Sequence, residues 1–167
     1  MGVGAGLLSL PTDIILPFAD GEYKFALLLP QQIELEKTCG YIDAAGNQRR
    51  KGAIELYADL IAGVAVIEGE VVCNPHLGRA SAFDCREVIR LGLIGGGKGE
   101  VNGAEVNVSA IRAKSLVETY VDTAPIVERW TLALAILRAA VEGYDPPKKA
   151  APAKAPAAKP PRKPRSA

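Results

Sequence analysis

Gly92, Gly97 and Lys98 are spaced as in the phosphate-binding loop G-x-x-x-x-G-K-[ST]. In that loop a strand delivers the glycines and a helix begins at the lysine, so that backbone N–H groups bind phosphate and the last hydroxyl binds Mg²⁺. Here Gly99 occupies the hydroxyl position, and the sequence predicts the reverse order, a helix ending at 93–94 followed by a turn-rich β segment. We therefore interpret the glycines as a helix C-cap and a flexible joint, and we predict no nucleotide site.

Cys73, His76 and Cys85 offer three possible metal ligands. A structural zinc site needs four, usually from two tight pairs, and Cys85 falls on the apolar side of a predicted helix, which is typical of a buried thiol. A catalytic dyad of His76 with either cysteine remains an alternative, although no local signature supports it. No carboxylate pair stands in a context typical of a cleft. We predict no metal, no cofactor and no enzymatic activity.

Charge divides the chain into an acidic body and a basic tail. Residues 1–145 hold 13 basic and 19 acidic residues, whereas residues 146–167 hold seven basic residues and no acidic ones. The tail has no apolar residue larger than Ala or Pro, so we predict that it is disordered. It could contact nucleic acid without sequence specificity, act as a solubilising extension, or tether an acidic partner. The basic residues of the tail are Lys148, Lys149, Lys154, Lys159, Arg162, Lys163 and Arg165.

The composition also limits where the protein works. The longest apolar stretch, around residues 130–141, is interrupted by Arg138 and is too short to cross a bilayer, so we expect no membrane association. The three cysteines form no dense pattern, which is typical of reduced thiols in a cytoplasmic protein.

A β-hairpin in residues 13–30 is the first predicted element. We place its turn at Asp20-Gly21, a pair that suits a two-residue turn. Pro17 cannot donate to a strand ladder, so the first strand is predicted to be an edge. This register sets one apolar face, consisting of Ile14, Leu16, Phe18, Tyr23, Phe25 and Leu27.

About five helices are predicted after the hairpin. They lie in residues 31–40, 53–64 and 81–94, from 109 to about 121, and from Pro125 onward. Small hairpins are predicted at residues 68–69 and 102–103, and residues 41–52 are predicted to form a polar turn region. Ser81 and Asp84 match a helix capping box. The predicted apolar stripes include Ile54, Ile111 and Ile126, and Arg86, Glu87 and Arg90 are predicted to point outward.

The predicted fold is therefore α+β, with an N-terminal β-hairpin followed by a mainly helical body with small hairpins. We expect a flexible N-terminus in residues 1–12, a single globular domain in residues 13–145, and a disordered Pro/Ala/Lys-rich tail in residues 146–167.

Four segments together resemble one known family. They are "FADGEYKFALLLPQQIELEKTCG", "IELYADLIAG", "GRASAFDCREVIRLGLIGGGKGEVNGAEV" and "ETYVDTAPIVERWTLALAILRAAVEGYDPPKK". They resemble the gene-transfer-agent family of small phage tail proteins, grouped with tail-assembly chaperones and also labelled tail tube proteins. The resemblance covers residues 13–149 and is most specific at "EVIRLGLIGGG". It carries no catalytic residues, and it implies a role in building the tail of a prophage or gene-transfer agent.

Two roles fit this resemblance. Tube subunits stack through long strands, whereas this sequence predicts mostly helices, so we favour a chaperone that binds the tape-measure protein in the host cytoplasm during assembly. Tyr57, Phe83 and Tyr120 are aromatic candidates for that binding, and each also suits a core position. The alternatives are a structural tail tube or tail-completion subunit in the virion, bound to the major tail tube protein, and a nucleic-acid-associated protein acting through its tail.

Overall fold

The computed structural model describes residues 9–146. Residues 1–8 and 147–167 lie outside this range, so the predictions made for the basic tail stay predictions. The tail residues outside the described range include Lys148, Lys149, Lys154, Lys159, Arg162, Lys163 and Arg165.

Within the described range the protein has the predicted α+β fold, with strands and helices interleaved along the chain. The strands are β1 (Asp13–Phe18), β2 (Gly21–Ala26), β3 (Gly40–Ile42), β4 (Gln48–Arg50), β5 (Val64–Ile67), β6 (Glu70–Cys73), β7 (Lys98–Val101) and β8 (Ala104–Asn107). The helices are α1 (Leu29–Thr38), α2 (Ala53–Ile61), α3 (Ala82–Gly96), α4 (Ala110–Leu116) and α5 (Ile126–Glu142). A 3₁₀ turn (Pro75–Leu77) precedes α3, and a π-helical turn (Val117–Val121) extends α4.

The main sheet is antiparallel and has the order β1-β2-β7-β8. β1 lies at its edge, as the missing N–H of Pro17 predicted. The hairpins at residues 68–69 and 102–103 are confirmed, with positive φ at Glu68, Gly69, Asn102 and Gly103. The sequence did not predict that β7–β8 docks onto β2, where Tyr23 pairs with Gly99.

The first hairpin differs from the predicted register by two residues. Phe18 pairs with Gly21, so the turn consists of Ala19, with φ of 55°, and Asp20. Gly21 is required for another reason, because a Cβ there would overlap the carbonyl oxygen of Glu100 in β7. A shift of two residues preserves the faces of a strand, and the predicted apolar face is confirmed as part of the core or packed against it.

The glycine-rich end of α3 is a packed seam and was wrongly predicted as a flexible joint. The helix continues to Gly96, past the predicted end, and Gly97 closes it in the left-handed conformation with φ of 69°. A Cβ at Gly96 would overlap the carbonyl oxygen of Lys24. A Cβ at Gly95 would overlap that of Ala26 in the same way. The glycines therefore let the backbone of α3 lie directly on β2.

The N-terminal part of the helical body also departs from the prediction. Helix α1 ends at Thr38, and Gly40 begins β3 instead of closing the helix. A Cβ at Gly40 would overlap the carbonyl oxygen of Arg49, so this glycine permits close pairing of two strands. The predicted polar turn region thus contains the short hairpin β3–β4.

The predicted starts of α2 to α5 are correct, whereas α1 begins at Leu29, two residues before its predicted start, and several predicted faces are wrong. Ser81 and Asp84 form the expected capping box at the start of α3. Glu87, predicted to point outward, is buried because Arg86 and Arg90 both bind its carboxylate. Exposed apolar residues that had been assigned to buried stripes include Ile54, Ile111, Ile126 and Val141.

The core lies where α3 and α5 pack against each other and α3 packs against β2. Trp130 of α5 is almost fully buried, and its indole Nε1 donates a 2.9 Å hydrogen bond to the carbonyl oxygen of Leu60 in α2. This bond satisfies the one polar atom of the largest buried side chain and ties α2 to α5. At the other end of α5, the amide of Tyr144 donates to the carbonyl oxygen of Pro11 at 2.7 Å.

Candidate docking surface

An apolar groove of about 600 Å³ lies between the end of β1 and the N-terminal half of α5. The groove wall from the hairpin comes from residues 16–19, and the facing wall comes from α5 and the π-helical turn. The principal lining side chains are Leu16, Pro17, Phe18, Tyr120, Val127 and Leu132. Most of this lining is apolar, which is typical of a site that binds apolar side chains.

Aromatic packing fixes the shape of the groove on the hairpin side. The ring of Phe18 meets those of Phe25 and Tyr120 edge to face, with centroid distances of 5.6 Å and 6.3 Å. Pro17 stands beside Phe18 and removes a backbone donor from the edge strand. Addition of a further strand along β1 is therefore disfavoured, and the groove is suited to side chains rather than to a paired backbone.

One rim of the groove carries a basic side chain without a carboxylate partner. Nε and Nη2 of Arg129 donate to the carbonyl oxygen of Ala124 at 3.0 Å and 2.8 Å. Arg129 forms no ion pair with any residue in the range 9–146, although Glu128 lies next to it on the same rim.

Beside the groove stands a two-stranded hairpin formed by β5 and β6, which we name the apolar ribbon (residues 64–73). Val66 and Val71 are cross-strand partners and are 70% and 68% exposed. Ile67 and Val72 are exposed as well. Within the described residues the ribbon pairs with no other strand. An exposed apolar patch of this kind is typical of an interaction surface.

The ribbon and the groove adjoin each other at one contact. Sγ of Cys73, at the end of the ribbon, lies 3.3 Å from Oγ1 of Thr131. Thr131 also lines the groove. The two apolar features therefore meet at Thr131 of α5.

The structure does not bring the three predicted aromatic residues together. Tyr120 lines the groove, and Phe83 is half-exposed in the first turn of α3. Tyr57 donates a 2.7 Å hydrogen bond to Oε1 of Glu142, and burial together with this bond raises the pKa of Tyr57 to about 12. A role for any of the three in partner binding stays a prediction, and Tyr120 is the best placed.

Sequence reasoning missed the ribbon side chains and Val127. The signal for the ribbon was present, because "VAVI" and "VVC" are apolar at consecutive positions, whereas a half-buried ribbon alternates apolar and polar residues. Val127 gave no separate signal, since its position on an apolar helix predicts burial equally well.

None of the residues considered for metal or nucleotide chemistry lines the groove, although Cys73 contacts Thr131 at its edge. Burial raises the pKa of the Cys85 thiol to about 12. Among residues 9–146 no group of three or more His, Cys, Asp or Glu side chains is arranged to hold a metal ion. Lys98 follows the end of α3 and opens β7, which confirms the predicted helix-then-strand order, and its Nζ lies 3.8 Å from Glu105.

A buried ionic cluster, none of whose members lines the groove, joins the segment before α2, the last turn of α2 and the first turn of α3. Nζ of Lys51 is 2.6 Å from Asp59 and 3.9 Å from Asp84, and it donates to the carbonyl oxygen of Arg79 at 3.3 Å. Burial alone would lower the pKa of Lys51, but the hydrogen bond and charge of Asp59 raise it above its ordinary value. Because every member of this cluster has a partner, we assign it to the fold rather than to a reaction.

A family model described as "Phage tail tube protein, GTA-gp10" matches residues 12–143. The match covers most of the chain, so the protein belongs to this family of gene-transfer-agent phage tail proteins. No curated protein and no solved structure gave a significant match. In the described part of the chain, no helix is both long enough and apolar enough to span a membrane.

Proposed function

We propose that the protein is a non-enzymatic structural component of the phage or gene-transfer-agent tail, retained in the particle as a tube or tail-completion subunit. The observation that carries this proposal is the family match over residues 12–143, whose description names a tail tube protein. This revises the preference that the sequence alone suggested, a chaperone that leaves before the particle is finished.

The docking surface supports a structural role. A subunit that remains in an assembly buries apolar surface against its neighbours, and both the groove and the apolar ribbon supply such surface. Because the two features meet at Thr131, a single neighbouring protein can contact both.

A chaperone for the tape-measure protein is the second candidate. The groove is consistent with this role, because an amphipathic helix can place its apolar side chains in a cleft of about 600 Å³. Pro17 disfavours the other common mode of peptide binding, the addition of a strand to β1. The groove alone fits both roles, and they differ in whether the protein stays in the particle.

Quantitative mass spectrometry of purified particles tests the proposal. We expect peptides of this chain at many copies per particle, in constant ratio to the major tail tube protein through successive purification steps. Absence from particles, together with co-purification of the chain with the tape-measure protein from lysates, would overturn the structural proposal and support the chaperone. Capsid-only particles are the control for adventitious carry-over.

A further inference from the structure

We propose that the groove of one copy receives the apolar ribbon of a second copy of this chain. The inference deepens the proposed function and rests on it for the choice of a like copy as the partner. It assigns the two halves of one interface to residues 64–73 and to the groove between β1 and α5.

The ribbon has the properties of a segment that is completed by a partner. A two-stranded hairpin is only marginally stable when it stands alone in water. Exposed strands are usually protected from pairing by Lys or Pro, and residues 64–73 contain neither. β1, by contrast, carries Pro17 within the strand. The ribbon is thus open to a partner, whereas the main sheet is protected at β1.

The groove has the complementary properties. The groove is apolar, and Pro17 disfavours strand addition along its wall. A bound partner is therefore expected to contact the groove through side chains and not through backbone pairing. A ribbon that presents Val66 and Val71 on one face supplies apolar side chains that suit such a site, because both lie on the same face and are directly opposite each other.

Charge selects the orientation of the ribbon. Glu68 and Glu70 lie at its turn, and neither forms an ion pair with a described residue of its own chain. Arg129 on the groove rim also lacks a carboxylate partner within residues 9–146. An acidic turn placed beside Arg129 pairs these charges across the interface.

The position of the ribbon favours exchange between copies. Its base contacts Thr131 through Cys73, yet residues 64–72 do not line the groove of their own chain. Each copy therefore has both an unfilled groove and an unburied ribbon. Such contacts close in a two-fold dimer when two copies exchange ribbons, and they continue from copy to copy in a ring when the contact is head-to-tail.

Sedimentation velocity of the full chain over a concentration series tests the inference. We expect the parent protein to self-associate, and Val71→Lys in the ribbon and Val127→Lys in the groove each to raise the dissociation constant at least about tenfold, because each buries an unpaired charge in an apolar contact. Ile111→Lys is the matched control, since Ile111 is 83% exposed and belongs to neither surface, and its association should equal that of the parent. Thermal unfolding of each variant verifies the fold, and the double variant Val66→Thr, Val71→Thr replaces Val71→Lys if that protein fails to fold.

Mixing the two lysine variants gives the sharpest result. Val71→Lys retains an intact groove and Val127→Lys retains an intact ribbon, so an equimolar mixture should recover dimers that neither variant forms alone. Association of Val127→Lys at the parental level would overturn the inference in favour of ribbon-to-ribbon pairing. A monomeric parent at all concentrations would overturn it as well, while the particle composition would still decide the proposed function separately.

Discussion

At the end of α3, glycines bring the helix backbone onto β2, and the neighbouring side chains Phe25, Leu93 and Ile136 are buried. In the apolar ribbon, Val66 and Val71 face each other across two strands and remain exposed. The first region is complete within one chain, so we call it the closed seam. The second needs another molecule to bury its side chains. Substitutions in the interior should therefore change folding stability, and substitutions in the ribbon should change association.

The largest effect on stability is expected in the buried ionic cluster, which belongs to the interior together with the closed seam. Lys51→Met leaves Asp59 and Asp84 buried without their cation, and loss of one partner from a buried ion pair costs about 3–5 kcal/mol in free energy of unfolding. Urea denaturation at neutral pH measures this cost.

Lys114→Met is the matched control for removing a lysine. Lys114 pairs with Glu118 at 3.7 Å on an exposed helix surface, so its loss should cost less than about 1 kcal/mol. Equal losses in free energy of unfolding for the two variants would show that the interior cluster is no more sensitive to substitution than the surface. The expected difference between interior and surface would then be wrong.

A smaller but more local effect is expected within the closed seam. Gly96→Ala places a Cβ against the carbonyl oxygen of Lys24, and the shift of α3 that relieves this overlap should cost about 2 kcal/mol, within the range for overpacked interiors. Hydrogen exchange of the β2 amides should increase as well, because the helix covers that strand.

Gly52→Ala is the control for adding a methyl group at a glycine. A Cβ at Gly52 would meet no heavy atom within 4 Å apart from its own residue and its chain neighbours, and the φ of Gly52, −83°, is accessible to alanine. Its free energy of unfolding should change by less than about 1 kcal/mol, the scale of a weakened N-cap. A larger loss in free energy of unfolding for Gly52→Ala than for Gly96→Ala would contradict the close packing of α3 on β2 in the closed seam.

The sequence predicted elements well because their signals are local. The capping box at Ser81, the turn at Asn102-Gly103 and the edge position of Pro17 each depend on residues within one turn of chain. The family resemblance also came from contiguous segments, and the family match confirms it.

The closed seam was not predictable in the same way. In the sequence, a glycine that caps a helix cannot be told from a glycine that lets a strand pack closely against the helix. Only the three-dimensional position of the Lys24 and Ala26 carbonyl oxygens shows that Gly95 and Gly96 have the second role. Glu87 is buried because two arginines reach it, although its helical position alone predicted exposure. The groove likewise depends on distant segments, β1 and α5, whose meeting no local pattern specifies.

Cys85 lies in the interior near the start of α3, and its titration tests how closed that interior is. Cys85 is fully buried, and burial raises its pKa from 9.0 to about 12. Above pH 9 the unfolded chain therefore loses this proton while the folded chain keeps it. The contribution of Cys85 to the free energy of unfolding is fully present below about pH 9 and decreases as the pH rises further. Between pH 9 and 10 the loss should be about 1 kcal/mol for this thiol, since one pKa unit corresponds to about 1.4 kcal/mol.

Urea unfolding under reducing conditions at pH 8, 9 and 10 measures this dependence. Comparison with Cys85→Ala isolates this thiol, because Cys39, Tyr23 and Tyr57, whose pKa values burial also raises, are present in both proteins. In Cys85→Ala the decline should be about 1 kcal/mol shallower than in the parent protein, although the variant is less stable at every pH because it leaves a small cavity. An unchanged decline would mean that water reaches Cys85 in the folded protein, and the interior would then be more open than the burial of its side chains implies.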